Sequence, residues 1–314
     1  MIRPIFSDVE RSIVVENLLL ILLCLSAGVG LRRIPNFPKD ASGAFNAYVI
    51  YVALPAIVLV QIPKLQLTRE LLVPALMPWA MLGVGAGLVL AAARLWRWPR
   101  EVTGALLMMV PLANTSFIGF PLVQAWFGEA GMPYAIIYDQ LGTFVALTVY
   151  GSFILSRYGH GAEPSLRGIM RRIGSFPPFI ALVLALAITP FGLPAVAEGV
   201  LTRVGATLVP VVMVAVGLQW RLVLPRSVLP PLGFALTAKL VALPLAALGL
   251  CYLLGLEGLP AQVSVFEAGM GPMITAGALA MAAGLAPELV AAVLGYGILL
   301  SLGTSAVLFS LIGH

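Results

Sequence analysis

Three ionisable residues stand deep inside apolar runs of the sequence: Asp139, Lys239 and Glu267. A charge at the centre of such a run costs roughly 2.5–3.5 kcal/mol on membrane-insertion scales, so a retained one marks an ion path, a proton relay or a substrate contact. Asp139 opens a polar stripe, with Gln140 beside it and Thr143 at i+4. An Asp139–Lys239 pair has two readings. It is either a static ion pair that holds the bundle, or one that opens and closes with proton or substrate. Lys239 is equally suited to hold a substrate carboxylate directly. Glu267 can ligate a cation together with nearby carbonyl oxygens, carry a proton, or bond only to a neighbour. A fourth ionisable residue, Glu16, lies near the end of its run and reads as interfacial.

Two of the apolar runs are interrupted where these residues cluster. One reads Val110-Pro111-Leu112-Ala113-Asn114-Thr115-Ser116-Phe117-Ile118-Gly119-Phe120-Pro121, with two prolines flanking three consecutive polar residues. The other reads Phe266-Glu267-Ala268-Gly269-Met270-Gly271-Pro272-Met273-Ile274-Thr275, with a carboxylate beside the break. Each proline removes a donor and frees a carbonyl. In hydrocarbon, freed backbone is tolerated only where it lines a cavity or is buried in protein. Half-helix N-termini can then face an anion, and half-helix carbonyls a cation. Milder kinks are expected at Leu54-Pro55 and Val209-Pro210, and at Pro74, Pro78 and Pro244.

The elements that must position these residues follow from composition. The 314 residues are 61% hydrophobic and 10% charged, which places the chain in the membrane class. A spanning helix needs about 20 apolar residues. Helices are predicted at 13–31, 41–62, 71–95, 102–127, 132–156, 175–191, 196–218, 227–254, 259–284 and 287–312. Strands would require alternating polarity, which these runs lack. Ten helices sort the loops onto two sides. One side holds Arg32, Arg33, Lys39, Arg94, Arg97, Arg100, Arg157, Arg167, Arg171, Arg172, Arg221 and Arg226; the other holds Arg3, Arg11, Lys64 and Arg69. The first side is therefore read as cytoplasmic, with both termini outside, in a multi-pass inner-membrane protein. The basic loop 157–174 divides the chain into residues 1–156 and 175–314. Five helices per half force the second half to insert upside down, and the two broken helices, the fourth and ninth, occupy matching places.

Some functions are excluded on composition. No glycine-rich phosphate loop precedes Lys39, Lys64 or Lys239, so the chain is not an ATP-driven pump by itself. Only His160 and His314 occur, and Asp139 stands alone, which argues against an intramembrane enzyme. Cys24 and Cys251 imply neither a disulfide framework nor a metal site. The net charge of +5 is explained by orientation rather than nucleic acid. Gly83 and Gly87 form a single GxxxG, a weak dimerisation signal.

The segments Tyr51-Val52-Ala53-Leu54-Pro55, Asn114 to Pro121, Tyr138-Asp139-Gln140, Lys239 with Pro244, and Glu267 to Pro272 together resemble the auxin efflux carrier family, over nearly the whole chain. The resemblance implies a fold like that of sodium/proton antiporters and bile acid:sodium symporters, with a core domain and a scaffold domain. It implies that Asn114 and the helix crossing contact substrate. Glu267-Ala268-Gly269-Met270 is similar to the sodium-binding segment of bile acid symporters, which implies that Glu267 and Met270 lie at a Na⁺ site. The departure is Gly271, where many members carry proline.

Taken together, the expected protein is an all-α secondary transporter of a small organic anion, working by an elevator mechanism coupled to Na⁺ or H⁺ and needing no cofactor. Helices 3–5 and 8–10 form the moving core. Helices 1, 2, 6 and 7 form the scaffold and a homodimer interface. Asn114, Thr115, Thr275 and Lys239 bind substrate; Asp139, Gln140, Glu267 and Met270 serve the cation; Pro111, Pro121, Gly271 and Pro272 break the helices. Other readings are a bile-acid-type sodium symporter, a ligand sensor that moves nothing, and a cation/proton antiporter.

Overall fold

The computed structural model describes residues 8–65, 68–159, 165–220 and 228–312. Arg3, Arg221, Arg226, His160 and His314 lie outside the described residues. The described chain is helical, without a named strand. In order come α1 (Asp8–Leu31), α2 (Ala41–Tyr48), α3 (Leu54–Gln61), α4 (Leu72–Trp96), α5 (Arg100–Met109) and α6 (Phe120–Ile137). Next are α7 (Phe144–Ala146), α8 (Ser152–Tyr158), α9 (Leu166–Gly174), α10 (Pro177–Ile188), α11 (Ala195–Gly205) and α12 (Leu208–Gln219). The last are α13 (Leu229–Thr237), α14 (Leu243–Leu254), α15 (Gly258–Ala268), α16 (Ile274–Ala282) and α17 (Pro287–Ile312).

Six continuous helical runs among the described residues are long and apolar enough to span a membrane, or seven if α9 and α10, bent by 64°, count as one. The six are Val14–Leu31, Ala41–Lys64, Arg69–Trp96, Ala195–Gln219, Leu229–Leu254 and Pro287–Ile312. The predicted runs at 102–127 and 259–284 are cut at residues 110–114 and 269–273, as their prolines imply. The turn expected between 127 and 132 shrinks to a kink inside α6, where Gly128 takes φ +64°. Such a φ is open to glycine without steric penalty.

Proline shapes the intact runs as well. The five-residue π-helical segments Val49–Ala53, Thr115–Gly119 and Ala238–Ala242 each end two residues before a proline, namely Pro55, Pro121 and Pro244. A proline has no N–H, and its ring collides with the carbonyl four residues earlier. A locally widened turn accommodates that carbonyl without ending the helix. Two more π segments, Tyr138–Thr143 and Leu147–Gly151, follow α6 and α7 without a nearby proline. Pro210 needs no such device. It sits in the first turn of α12, after the chain has turned at Ala206 and Thr207.

The helices pack in two groups. In the first, α1 runs along α12, α12 also meets α2, and α3 lies between α10 and α11. In the second, α4, α5, α6, α13 to α17 and the Tyr138–Thr143 segment pack around α15 and α17. The groups meet mainly through α6, which touches α1, α3 and α12. Among the described residues two polar joints cross between them: Gln61 Nε2 donates to Glu129 Oε2, which Gln124 Nε2 supports by donating to Glu129 Oε1 at 2.7 Å, and Trp220 Nε1, just after α12, donates to Gly295 O on α17 at 2.9 Å. Phe127 and Phe309, with Trp126 stacked on Phe309 at 4.9 Å, tie α6 to α17.

Without water between apolar helices, close backbone packing takes over as the cohesive force. It is tightest where α1 meets α12. A Cβ on Gly28 would lie 2.9 Å from Gly217 Cα, and one on Gly217 would lie 3.0 Å from Gly28 Cα. Gly83 and Gly87 face open space. Gly28→Val is therefore expected to lower the melting temperature in detergent, by an overpacking cost of about 1–3 kcal/mol. Gly83→Val should leave it unchanged. Equal melting of the two variants would show that the α1–α12 approach is not needed.

Candidate functional site

The two breaks lie against each other. Asn114 N–H donates to Gly271 O at 2.8 Å, and Met273 N–H donates to Leu112 O at 3.1 Å. Ala113 and Pro272 form an isolated antiparallel bridge between them. Both hydrogen bonds come from the neighbours of Pro272, so its missing N–H leaves no gap in the pairing. Four half-helix ends converge here: the C-termini of α5 and α15, and the N-termini of the Thr115–Gly119 segment and α16. Asn114 caps its half-helix, with Oδ1 accepting from Phe117 N at 3.3 Å and its own carbonyl accepting from Gly119 N at 2.9 Å. Gly271 fits closely on α17, where a Cβ would meet Ser301 Oγ at 3.0 Å and Gly297 O at 3.1 Å.

Around this crossing the polar residues occupy widened turns. Thr115 lies in one π segment, Asp139 and Gln140 in another, and Lys239 in a third. Such turns recur at functional sites. The Asp139 carboxylate accepts three hydrogen bonds: from Thr115 Oγ1 and Ser116 Oγ on Oδ1, both at 2.5 Å, and from Gln140 Nε2 on Oδ2 at 2.6 Å. Asp139, Thr115 and Gln140 are all buried.

This arrangement corrects the expected Asp139–Lys239 ion pair. Among the described residues no salt bridge joins Lys239 to a carboxylate. The hydroxyls of the break reach Asp139 first, because the segment that carries it packs against the Thr115–Gly119 segment. Lys239 is fully buried. It borders a cavity of about 10 Å³ shared with Pro111, Leu112, Ala113, Tyr138 and Thr143. That is close to the space one water needs, about 10–15 Å³.

Glu267 occupies the last turn of α15, wholly buried, and neither carboxylate oxygen has a hydrogen-bond partner among the described residues. Asn114 Nδ2 and Gln140 Oε1 are also buried without a partner. Leaving a buried polar atom unmatched costs about 1–3 kcal/mol. The site thus keeps one unmatched donor and three unmatched acceptor oxygens, a mixture suited to an anionic group and a cation together. No group of three or more His, Cys, Asp or Glu among the described residues is placed to hold a metal ion. Any cation held here would rely on mixed oxygen ligands.

Met270 is buried beside the break, but Thr275 is exposed on the first turn of α16, away from Asp139. It lines a separate cavity with Arg172. The sequence reading missed three participants. Ser116 adjoins the polar pair that it singled out, and Tyr138 precedes Asp139. The third, Gly119, gives no side-chain signal, and its importance lies in what it makes room for. A Cβ there would lie 2.6 Å from Glu267 Oε1 and 2.8 Å from its Cδ.

The sequence matches the membrane transport protein family over residues 13–309. It is 28% identical, over 91% of this chain and 94% of the relative, to an uncharacterized transporter of Methanothermobacter thermautotrophicus. It is 25% identical, over 81% of this chain and 84% of the relative, to an uncharacterized transporter of Methanocaldococcus jannaschii.

The closeness of Gly119 and Glu267 has a measurable signature. Gly119→Ala should lower the melting temperature by an overpacking cost of about 1–3 kcal/mol. Glu267→Asp, which shortens the opposing side chain, should recover part of that loss in the double variant. Strictly additive melting shifts would show that the two residues do not press on each other.

Proposed function

The chain belongs to the membrane transport protein family, the auxin efflux carrier family that its motifs resemble, and is a membrane transporter; from that premise we propose that it carries a small organic anion, coupled to Na⁺ or H⁺, by an elevator motion. The observation that carries this reading is the set of unmatched polar atoms at the crossing. Asn114 Nδ2 is a donor awaiting an acceptor, and Glu267 and Gln140 offer oxygens awaiting a cation or a proton.

In this reading the spans number ten, as two inverted five-helix repeats over residues 1–156 and 175–314 joined by 157–174. The half-helix N-terminus at Thr115 and that of α16 give backbone N–H groups toward a carboxylate. Asn114 and Thr115 hold the anion, and Lys239 supplies compensating positive charge behind the break. Asp139, Gln140, Glu267 and Met270 hold the coupling cation. Asp139 also acts as a positioning residue, since its hydrogen bonds fix Thr115 and Ser116 in the broken helix.

The two packing groups support a division of labour. The group with α4 to α8 and α13 to α17 moves as the core, and the group with α1 to α3 and α10 to α12 stays as the scaffold. Motion of this kind exchanges contacts at one interface and leaves the crossing intact. Gln61–Glu129 is then a contact made in one state and broken in the other.

Melting temperature in Na⁺ against K⁺ at equal ionic strength tests the coupling. A ligand of the folded state stabilises it by mass action, about 1.4 kcal/mol at a tenfold excess over Kd. A Na⁺-specific rise that disappears in Glu267→Ala is the expected result for sodium coupling. A wild type that melts identically in both salts moves the coupling to protons. The substrate class is tested in proteoliposomes, where labelled organic acids should accumulate in the wild type and not in Asn114→Ala. Uptake of no organic anion under either ion gradient would defeat the proposal.

A further inference from the structure

A second cavity, of about 330 Å³, lies between the bend that joins α9 to α10, the Val49–Ala53 segment and the helices of the core. Its volume is at the lower end of small-molecule sites, about 300–1,000 Å³. The chemistry of its lining is one-sided. Tyr51, Thr148, Ser152, Arg172, Ser175 and Thr275 border it, and among the described residues no carboxylate does. Among the described residues Arg172 has no salt-bridge partner. The Ser175 and Thr275 hydroxyls likewise make no hydrogen bond there. Thr148, by contrast, already donates to Phe144 O at 3.0 Å. The free hydroxyls can donate as well as accept, and Arg172 adds one full positive charge.

The rest of the wall is apolar. Phe176, at the start of α10, stacks on Phe144 with ring centroids 3.8 Å apart and planes 13° apart. Leu147 and Leu279 extend that surface. Thr275 stands three residues beyond Pro272, in the first turn of α16, so the cavity adjoins the same half-helix end that forms the crossing. The arginine bias puts this mouth on the cytoplasmic side.

We propose that this cavity is a second binding site, for an amphipathic organic carboxylate, which receives the anion before it reaches the crossing. The carboxylate pairs with Arg172, whose planar guanidinium suits two parallel hydrogen bonds, and with the Ser175 and Thr275 hydroxyls. The apolar body lies against the stacked Phe144 and Phe176. The proposal rests on the organic-anion reading and narrows it to anions with a substantial apolar portion.

Photolabelling with 4-benzoylbenzoate, a photoreactive aromatic carboxylate, tests it on the full chain in phosphatidylcholine vesicles. Adducts read by mass spectrometry are expected within residues 144–155 and 166–179, and excess benzoate should suppress them. Arg172→Ala should reduce labelling at least tenfold. Arg172→Lys should restore part of it, and Arg171→Ala should leave it at the wild-type level. Labelling that is indifferent to Arg172→Ala overturns the proposal. So does labelling displaced by phosphatidylglycerol but not by benzoate, which would make the occupant a lipid headgroup. Asn114→Ala separates the two readings. It should retain the adducts while losing uptake. Arg172-dependent labelling without transport of any organic anion would sink the transporter reading and leave the site. Transport with no Arg172-dependent labelling would sink the site alone.

Discussion

Two broken helices in an apolar environment must find partners for the backbone groups that their breaks release, and here each break supplies the other. The pairing of Asn114 with Gly271 and of Met273 with Leu112 is only two hydrogen bonds long. Everything else at the site depends on it. It holds four helix ends within reach of one another and brings their dipoles to one place. It also fixes the register between segments that are distant in sequence. Pro272 is compatible because it occupies the bridge position that donates no hydrogen bond to the partner segment.

The polar side chains are arranged around that fixed point by backbone that has been locally widened. A regular α-helix packed among helices presents few gaps. A π turn shifts the side chains after it and opens the ladder of hydrogen bonds. Thr115, Asp139, Gln140 and Lys239 all sit in such turns. Asp139 accepts three hydrogen bonds from its neighbours, two of which hold the broken segment. Neither carboxylate oxygen of Glu267 has a hydrogen-bond partner among the described residues. The two carboxylates thus differ in what surrounds them: one braces the break through hydroxyls, and the other meets no hydrogen-bond donor among the described residues.

Much of this was legible before any coordinates. The breaks at Pro111–Pro121 and Gly271–Pro272 could be placed because proline and polar residues in mid-span have few structural explanations. The ionisable residues stood out for the same reason. What the sequence could not give was direction. Asp139 and Lys239 are both on helices beside the breaks, but which way each side chain points depends on packing, and the nearer hydroxyls of Thr115 and Ser116 took the carboxylate. Thr275 was read as part of the crossing from its distance along the chain, yet one turn of helix carries it to a different cavity. The π segments were hidden because a proline signals a kink without saying how the turns before it adjust. Of the ten expected spans, those at 102–127 and 259–284 are not continuous helices, being cut at 110–114 and 269–273.

The joint at the crossing is made of main-chain atoms, and this bears on how such a protein can diversify. Any residue has a carbonyl, and any residue but proline has an N–H, so the pairing does not depend on the chemistry of the side chains at Leu112, Asn114, Gly271 and Met273. Steric demands remain, as Gly271 shows against α17. Within them, substitution at Leu112 or Met273 leaves both main-chain hydrogen bonds available. On the proposed reading of the crossing, what the side chains recognise and what the main-chain joint holds are inherited through different atoms, so a lineage built on this plan keeps its frame while its side chains vary.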